Sequence, residues 1–303
     1  MCLHDGFLFF DSFSQKVIPD YLYYFIVANR QKLVHLGNGS VFVNLKKEIL
    51  ENYEIDLPSL GIQEKVVRHL SSIDEKIVLC KKIIENLNSQ AETLFLYYFD
   101  KFDSIPVGWK TKPLDSIANY LNGLAMQKFP PIDNEKSLPV LKIAELKKGY
   151  CDSDSDRCSL NIKPQYIINN GDVIFSWSAS LFVDFWCGGT AGLNQHLFKV
   201  TSDEYDKWFY YGWTKFYLDD FIREATSKAT TMGHITRDRL SNAVVLVPDK
   251  DSYEKIGQVL APLYDLIIEK KLEIFSLSKM RDSLVDVFFT KNEQELEAFF
   301  ENE

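Results

Sequence analysis

Hydroxyls and cations that can donate to phosphate, with side chains long enough to reach base edges, crowd into the stretch from Thr226 to Arg239. It holds Lys228, Thr230, Thr231, His234, Thr236, Arg237 and Arg239, and Gly233 permits close approach of the backbone to a ligand. From Lys207 to Arg239, six Lys/Arg stand against four Asp/Glu, a local positive excess in a chain of net charge -9. A solvated surface loop has the same composition. Ser176, Ser178, Ser180, Asn194, Gln195 and His196 form a second group. Asn and Gln can bond an adenine edge through two hydrogen bonds, and serine can serve any base. Asn194 and Gln195 follow Gly192, so they can equally satisfy backbone groups within a turn. Lys142, Lys147 and Lys148 flank a short apolar run and are placed either to touch phosphate or simply to be solvated. His196 has no carboxylate or serine partner at a recognisable spacing and reads as structural. Trp208, Tyr210, Tyr211, Trp213 and Tyr217 fall at helical spacing and read as core rather than as a base-stacking platform.

Catalytic constellations are missing from the sequence. There is no glycine-rich cofactor turn with an Asn/Asp-Pro-Pro-aromatic run, since Pro130-Pro131 lies between Phe129 and Ile132. No G-x-x-x-x-G-K-[ST] phosphate loop occurs. Asp133, Glu135 and Lys136 have the wrong spacing for a nuclease cluster.

These candidates must be held by larger elements, and the clearest is a long helix. From Ile62 to Phe99 the apolar residues Val66, Leu70, Ile73, Ile77, Cys80, Ile84, Leu87, Ala91, Leu94 and Tyr98 alternate by fours and threes. That is a heptad seam for packing along another helix. Its length of roughly 55 Å suits a spacer better than a compact core. The stretch occurs twice: adding 190 carries Asn38–Phe99 onto Lys228–Phe289 without a gap, matching Pro58 with Pro248, Leu70 with Leu260, Ile77 with Ile267 and Phe99 with Phe289.

Each copy predicts the same order of elements. In the first these are a strand at Phe7–Phe13, a helix at Pro19–Val34, a loop at Gly37–Ser40 and a strand at Tyr53–Leu57. In the second they are a strand at Leu193–Val200, a helix at Asp203–Phe221, a loop at Ala225–Gly233 and a strand at Ala243–Val247. About ninety residues, Ile105 to Gly192, precede the second copy alone, so the first is expected to begin within a repeat. The division expected is a partial first domain at 1–60, a long helix at 61–100, a complete second domain at 101–250, a second long helix at 251–290 and an acidic tail at 291–303. Pro262 predicts a kink or a late start in the second helix. The class expected is α+β, with domains of short strands and helices joined to two long helices packed as an antiparallel coiled-coil spacer.

At 303 residues, 46% hydrophobic and 25% charged, the chain has room for two cores. The net negative charge argues against a sequence-independent DNA coat. Five cysteines without a C-x-x-C pair predict neither a disulfide framework nor a zinc site and point to a reducing cytoplasm. There is no leader pattern at the start and no 18-residue apolar run.

With the repeat laid out, the chain resembles the specificity subunits of Type I restriction-modification systems. The resemblance rests on Leu57-Pro58-Ser59-Leu60-Gly61-Ile62-Gln63-Glu64-Lys65-Val66, Ile73-Asp74-Glu75-Lys76-Ile77, Ile105-Pro106-Val107-Gly108-Trp109, Gly171-Asp172-Val173-Ile174-Phe175 and Leu193-Asn194-Gln195-His196-Leu197-Phe198 in this order. It implies two target-recognition domains alternating with spacer helices, and a non-catalytic reader of double-stranded DNA with a bipartite, adenine-containing target. It implies two methyltransferase subunits and restriction/motor subunits as partners, with S-adenosylmethionine, ATP and Mg²⁺ bound by those partners and none by this chain. The departure is the partial first domain, from which pairing of two copies on a symmetric target is expected. Two other readings stay open: a helical scaffold that binds protein, and a silent recombination cassette for a specificity gene.

Overall fold

The computed structural model describes residues 10, 12–36, 47–100, 104–132, 136–227 and 235–301. In chain order the elements begin with helices α1 (Pro19–Ala28), α2 (Arg30–Leu36), α3 (Lys47–Glu51) and α4 (Leu60–Phe99). There follow β1 (Lys110–Pro113), α5 (Leu114–Ile117), β2 (Asn119–Asn122), β3 (Ser137–Leu141), α6 (Ile143–Lys148), β4 (Arg157–Ser159), β5 (Ile167–Ile168), β6 (Val173–Ser176), β7 (Phe182–Phe185), β8 (Ala191–Leu193) and β9 (Leu197–Thr201). Then come α7 (Lys207–Phe216), α8 (Leu218–Ser227), α9 (Arg237–Asn242), β10 (Val244–Val247), α10 (Lys250–Thr290) and α11 (Glu293–Glu301). Two compact units result, Met1–Leu79 with Ser276–Glu303, and Cys80–Phe275.

In the first unit the early turns of α4 lie antiparallel to the late turns of α10. Val66, Leu70, Val285 and Phe288 bury the seam, each with 5% or less of its surface exposed. Asp74 ties three elements, accepting from Tyr24 Oη at 2.7 Å and from Arg281 Nη1 at 3.0 Å. Pro19 in the first turn suits the start of α1, where its missing N–H goes unneeded. The amide of Ile18, just before it, donates to Gln63 Oε1 at 2.9 Å, and the same fully buried Gln63 donates to the carbonyls of Lys16 and Pro58. The single helix expected over Pro19–Val34 is broken at Asn29, whose amide group donates to the Phe25 carbonyl at 2.9 Å and competes with continuation. Within the acidic tail expected at 291–303, Glu293–Glu301 form helix α11: Asn292 and Glu295 cap its start reciprocally, and Leu296 is buried.

Of two strands expected here, one is not found and the other falls mostly outside the described residues. Tyr53–Leu57 carries no strand, nor do the described residues of Phe7–Phe13, namely Phe10, Ser12 and Phe13. A strand exists only where a neighbour takes its backbone groups. In the second repeat that neighbour is β1, antiparallel to β10 with Lys110 opposite Val247, and among the described residues no strand pairs with Tyr53–Leu57. The expected loop Gly37–Ser40 lies outside the described residues.

The second unit holds the core of the strand-rich domain. Strands β2-β9-β6-β7 form an antiparallel sheet, β4-β3-β8-β5 a mixed one, and β1-β10 a ribbon. The turn at Asn169–Asp172 feeds β6, with Gly171 at φ 83°, a left-handed conformation that glycine adopts without strain. The single strand expected over Leu193–Val200 is two strands in different sheets, parted by the turn at Asn194–His196. The helix expected over Asp203–Phe221 is likewise two, α7 and α8. Trp208, Tyr210, Tyr211 and Trp213 are buried in one cluster with the sheet and the long helices, as their spacing predicts. The amide of Asp206, before α7, donates to Tyr253 Oη at 2.8 Å, the place that Gln63 fills in the first repeat.

Within this unit too the long helices run antiparallel: Glu273 acts on the Cys80 thiol and Glu92 on the Tyr264 hydroxyl, raising both groups beyond the effect of burial. A late start of the second helix is not found, since α10 begins twelve residues before Pro262. One missing N–H costs less than the burial of Leu260, Tyr264 and Ile267 on either side supplies.

Candidate nucleic-acid interface

Most candidate residues that the structure describes come from loops at one end of the second unit's sheets. Strand β8 ends at Leu193 and the chain turns, the Asn194 amide donating to the Leu141 carbonyl at 3.2 Å and Leu197 N–H to the Asn194 carbonyl at 3.0 Å. Asn194 Oδ1 accepts from the His196 amide at 3.2 Å, so this buried side chain shapes the turn. Its neighbours Gln195, half-buried, and His196, exposed, stand out from it. The loop Asn122–Leu124 presses on the same turn through Gly123 N–H to the Leu197 carbonyl at 3.0 Å and Leu124 N–H to the Leu193 carbonyl at 2.9 Å.

The end of β6 meets this turn. Trp177 N–H donates to the His196 carbonyl at 3.4 Å, and the Trp177 indole donates to Asn122 Oδ1 at 2.9 Å. Ser178 Oγ and His196 Nδ1 share a hydrogen bond at 3.0 Å, which corrects the expectation that His196 lacks a serine partner. Its other ring nitrogen lies 3.4 Å from Gln195 Nε2, an amide, so the pair lacks the carboxylate that would orient a catalytic histidine. Ser176 is fully buried and donates to the Ser180 carbonyl at 2.7 Å; it staples the turn and reaches no ligand. Between them Ala179 takes φ 58°, the one positive φ at a non-glycine among the described residues. Such local strain persists where surrounding structure holds it.

Lys142 lies at the start of α6 and pairs with Asp156. Both are well exposed, and such a pair contributes about 0–1 kcal/mol, little enough for the ammonium to exchange to a phosphate. Together with Gln127, Arg157, Gln195 and His196 they line an open recess of about 650 Å³. Lys147 and Lys148 sit at the far end of α6, where Lys148 pairs with Asp152, lowering that carboxyl's pKa, and lies 4.3 Å from the centre of the Tyr150 ring.

The stretch Thr226–Arg239 joins this cluster through its described end. Ile235 N–H donates to the Trp177 carbonyl at 3.0 Å. Thr236 and Arg237 are exposed at the start of α9, and Arg239 pairs with Glu224 of α8. Lys228, Thr230, Thr231 and His234 lie outside the described residues. Sequence reasoning missed Gln127, Arg157, Asn122 and Trp177. The last two form a contact across 55 residues that no local pattern signals. Burial raises the thiols of Cys151, Cys158 and Cys187, the first to about 12, so none of them is a ready nucleophile. The chemistry on offer is hydrogen bonding and positive charge directed outward from neighbouring loops.

Among known proteins, the family described as Type I restriction modification DNA specificity domain matches residues 2–89 and 106–274, one stretch in each repeat. The Type I restriction enzyme MjaIX specificity subunit of Methanocaldococcus jannaschii is 27% identical over 301 residues, covering 89% of this chain and 68% of that protein. The EcoBI specificity subunit of Escherichia coli is 26% identical over 182 residues, 58% of this chain and 37% of the relative. The crystal structure of a Type I restriction-modification S subunit from M. genitalium is similar in fold, with TM-score 0.53 and 15% identity, covering 91% of this chain and 74% of that one. Among the described residues no helix is long and apolar enough to cross a membrane.

Proposed function

Because the chain belongs to the Type I restriction modification DNA specificity domain family, we propose that it is the DNA-reading, non-catalytic subunit of such a system. The observation that carries this reading is the convergence of Lys142, Arg157, Gln195 and His196 on one recess, with Arg237 at the start of α9 joined to it through Ile235 and Trp177. Cations and amides in that arrangement suit phosphates and base edges together. The names of the relatives add that the reader serves a restriction enzyme, and by the same reading its partners are two methyltransferase subunits and restriction/motor subunits. Uninterrupted helices of 40 and 41 residues, each about 60 Å long, support a stiff spacer that fixes the gap in a bipartite target.

The chain supplied with its cognate methyltransferase subunit is expected to direct adenine methylation to one bipartite sequence, read by genome-wide methylation profiling with and without its gene. An unchanged profile at every such site rejects the reading. The scaffold alternative predicts no salt-dependent binding to duplex DNA.

Residue roles separate in binding titrations. Lys142→Ala is expected to weaken all duplexes about equally and to reduce the slope of log affinity against log salt by about one. Gln195→Ala is expected to relax preference at a single base pair, by about 1–3 kcal/mol, with the salt slope unchanged. Identical behaviour of both variants on cognate and scrambled duplexes would refute these roles.

A further inference from the structure

Strands β3 and β4 pair antiparallel, with Ser137 opposite Ser159 and Pro139 opposite Arg157. The backbone on both sides of Arg157 is tied down: the Asp156 carbonyl accepts from Val140 N–H at 2.7 Å, and Ser159 N–H donates to the Phe129 carbonyl at 2.9 Å. The side chain is tied down as well. Arg157 Nε donates to Ser137 Oγ at 3.0 Å, and Nη2 donates to the Ser137 carbonyl at 2.5 Å. One serine thus sets the plane of a guanidinium that is otherwise exposed.

The shape of the group decides what is left over. A guanidinium presents its N–H donors in a rigid planar fork. Nε and Nη2 share one edge, and Ser137 occupies it. The next edge, formed by Nη1 and the second N–H of Nη2, offers two parallel donors. Such a pair matches two acceptors side by side, which guanine presents in the major groove as O6 and N7. A phosphate presents two oxygens in the same way, and two observations favour the base. Asp156, paired with Lys142, lines the same recess as Arg157, and its charge opposes a phosphate there more than it opposes a neutral base edge. A plane fixed before binding adds little to a phosphate contact, which carries no sequence information, whereas it gives a base contact its discrimination.

We infer that Arg157 reads a guanine of the target through O6 and N7, with Ser137 as its positioning residue. This rests on the DNA-reading role proposed above and names the base, and the edge of it, that the recess takes. Lys142 supplies charge and Arg157 the choice of base.

The test uses the full chain with its cognate methyltransferase subunit and first selects bound sequences from a library of random duplexes. The selected target is expected to hold a G·C pair at which 7-deazaguanine, which lacks the N7 acceptor, weakens binding at least about fivefold. That probe leaves the protein unaltered, so folding does not enter. Arg157→Lys keeps the charge and loses the fork. It is expected to be indifferent to 7-deazaguanine, to lose at least about fivefold of the preference for G·C over A·T at that pair, and to keep the salt slope of the parent. Ser137→Ala is expected to lose part of the same preference and none at other positions. Three results overturn the inference and leave the DNA-reading role in place: a target without such a guanine, an Arg157→Lys variant as sensitive to 7-deazaguanine as the parent, or an Arg157→Ala variant that weakens cognate and scrambled duplexes equally, as a phosphate contact would. Failure to enrich any sequence overturns both.

Discussion

Replacing Gly123 by alanine is expected to weaken binding to the cognate duplex at least tenfold while leaving the helices folded. A methyl group there would lie 2.2 Å from the Asn194 carbonyl oxygen and 2.4 Å from that of Leu193. Those are backbone atoms, which cannot swing aside as the end of a flexible side chain can, so the turn that carries Gln195 and His196 must move. Overpacking of this kind costs about 1–3 kcal/mol of stability. A shift of about 1 Å in the turn removes well-aligned hydrogen bonds to DNA, and tenfold in affinity corresponds to only about 1.4 kcal/mol. Gly61, in the first turn of α4, is the control, because an added Cβ meets nothing within 4 Å. Gly61→Ala is expected to bind DNA normally and to be neutral or up to about 1 kcal/mol more stable. Fluorescence anisotropy with the cognate duplex checks both, and Gly123→Ala binding as tightly as the parent would show that the turn does not meet DNA.

Phe209→Ala is expected to be the most destabilising single truncation, by about 3–5 kcal/mol. The ring is fully buried, with Phe99 of α4, Tyr205, Trp208 and Tyr253 all within 6.0 Å between ring centres. It joins the long helices to α7, and α7 in turn carries the sheet through Tyr211 and Thr214. All five tryptophans, at 109, 177, 186, 208 and 213, lie in the second unit, so their fluorescence reports its unfolding specifically. The midpoint of that transition in urea is expected to fall by about 1–2 M, given slopes of a few kcal/mol per molar for a unit of this size. A midpoint within about 0.3 M of the parent would mean that the cavity collapses and that α7 is held mainly by the sheet.

The long helices, their antiparallel packing and the buried aromatics of α7 were legible because helical periodicity is local: Val66, Leu70 and Ile73 announce a buried face whatever they meet. Strands were less so. Ala243–Val247 and Tyr53–Leu57 read alike, yet only the former is a strand, because pairing depends on β1, more than a hundred residues away. Breaks such as Asn29 and the turn at Asn194–His196 come from side chains that bond backbone, which composition does not rank. The same limit governs the site. Asn194, Gln195 and His196 stood out as a group, but the sequence did not show that Asn194 would shape the turn while its neighbours face outward. Ser176 looked like a donor to DNA and is a buried staple. Gly123 carried no signal at all, since its importance comes from a carbonyl brought against it by folding.

One repeated contact bears on how such chains diversify. The amide ahead of α1 is received by Gln63 and the amide ahead of α7 by Tyr253, and these residues coincide in the repeat although one is a carboxamide and the other a phenol. A joint that accepts either chemistry at the same position works as a socket. Genetic exchange that swaps one lobe for a foreign one need not re-engineer the joint beneath it, so new sequence preferences can be acquired wholesale on an old frame.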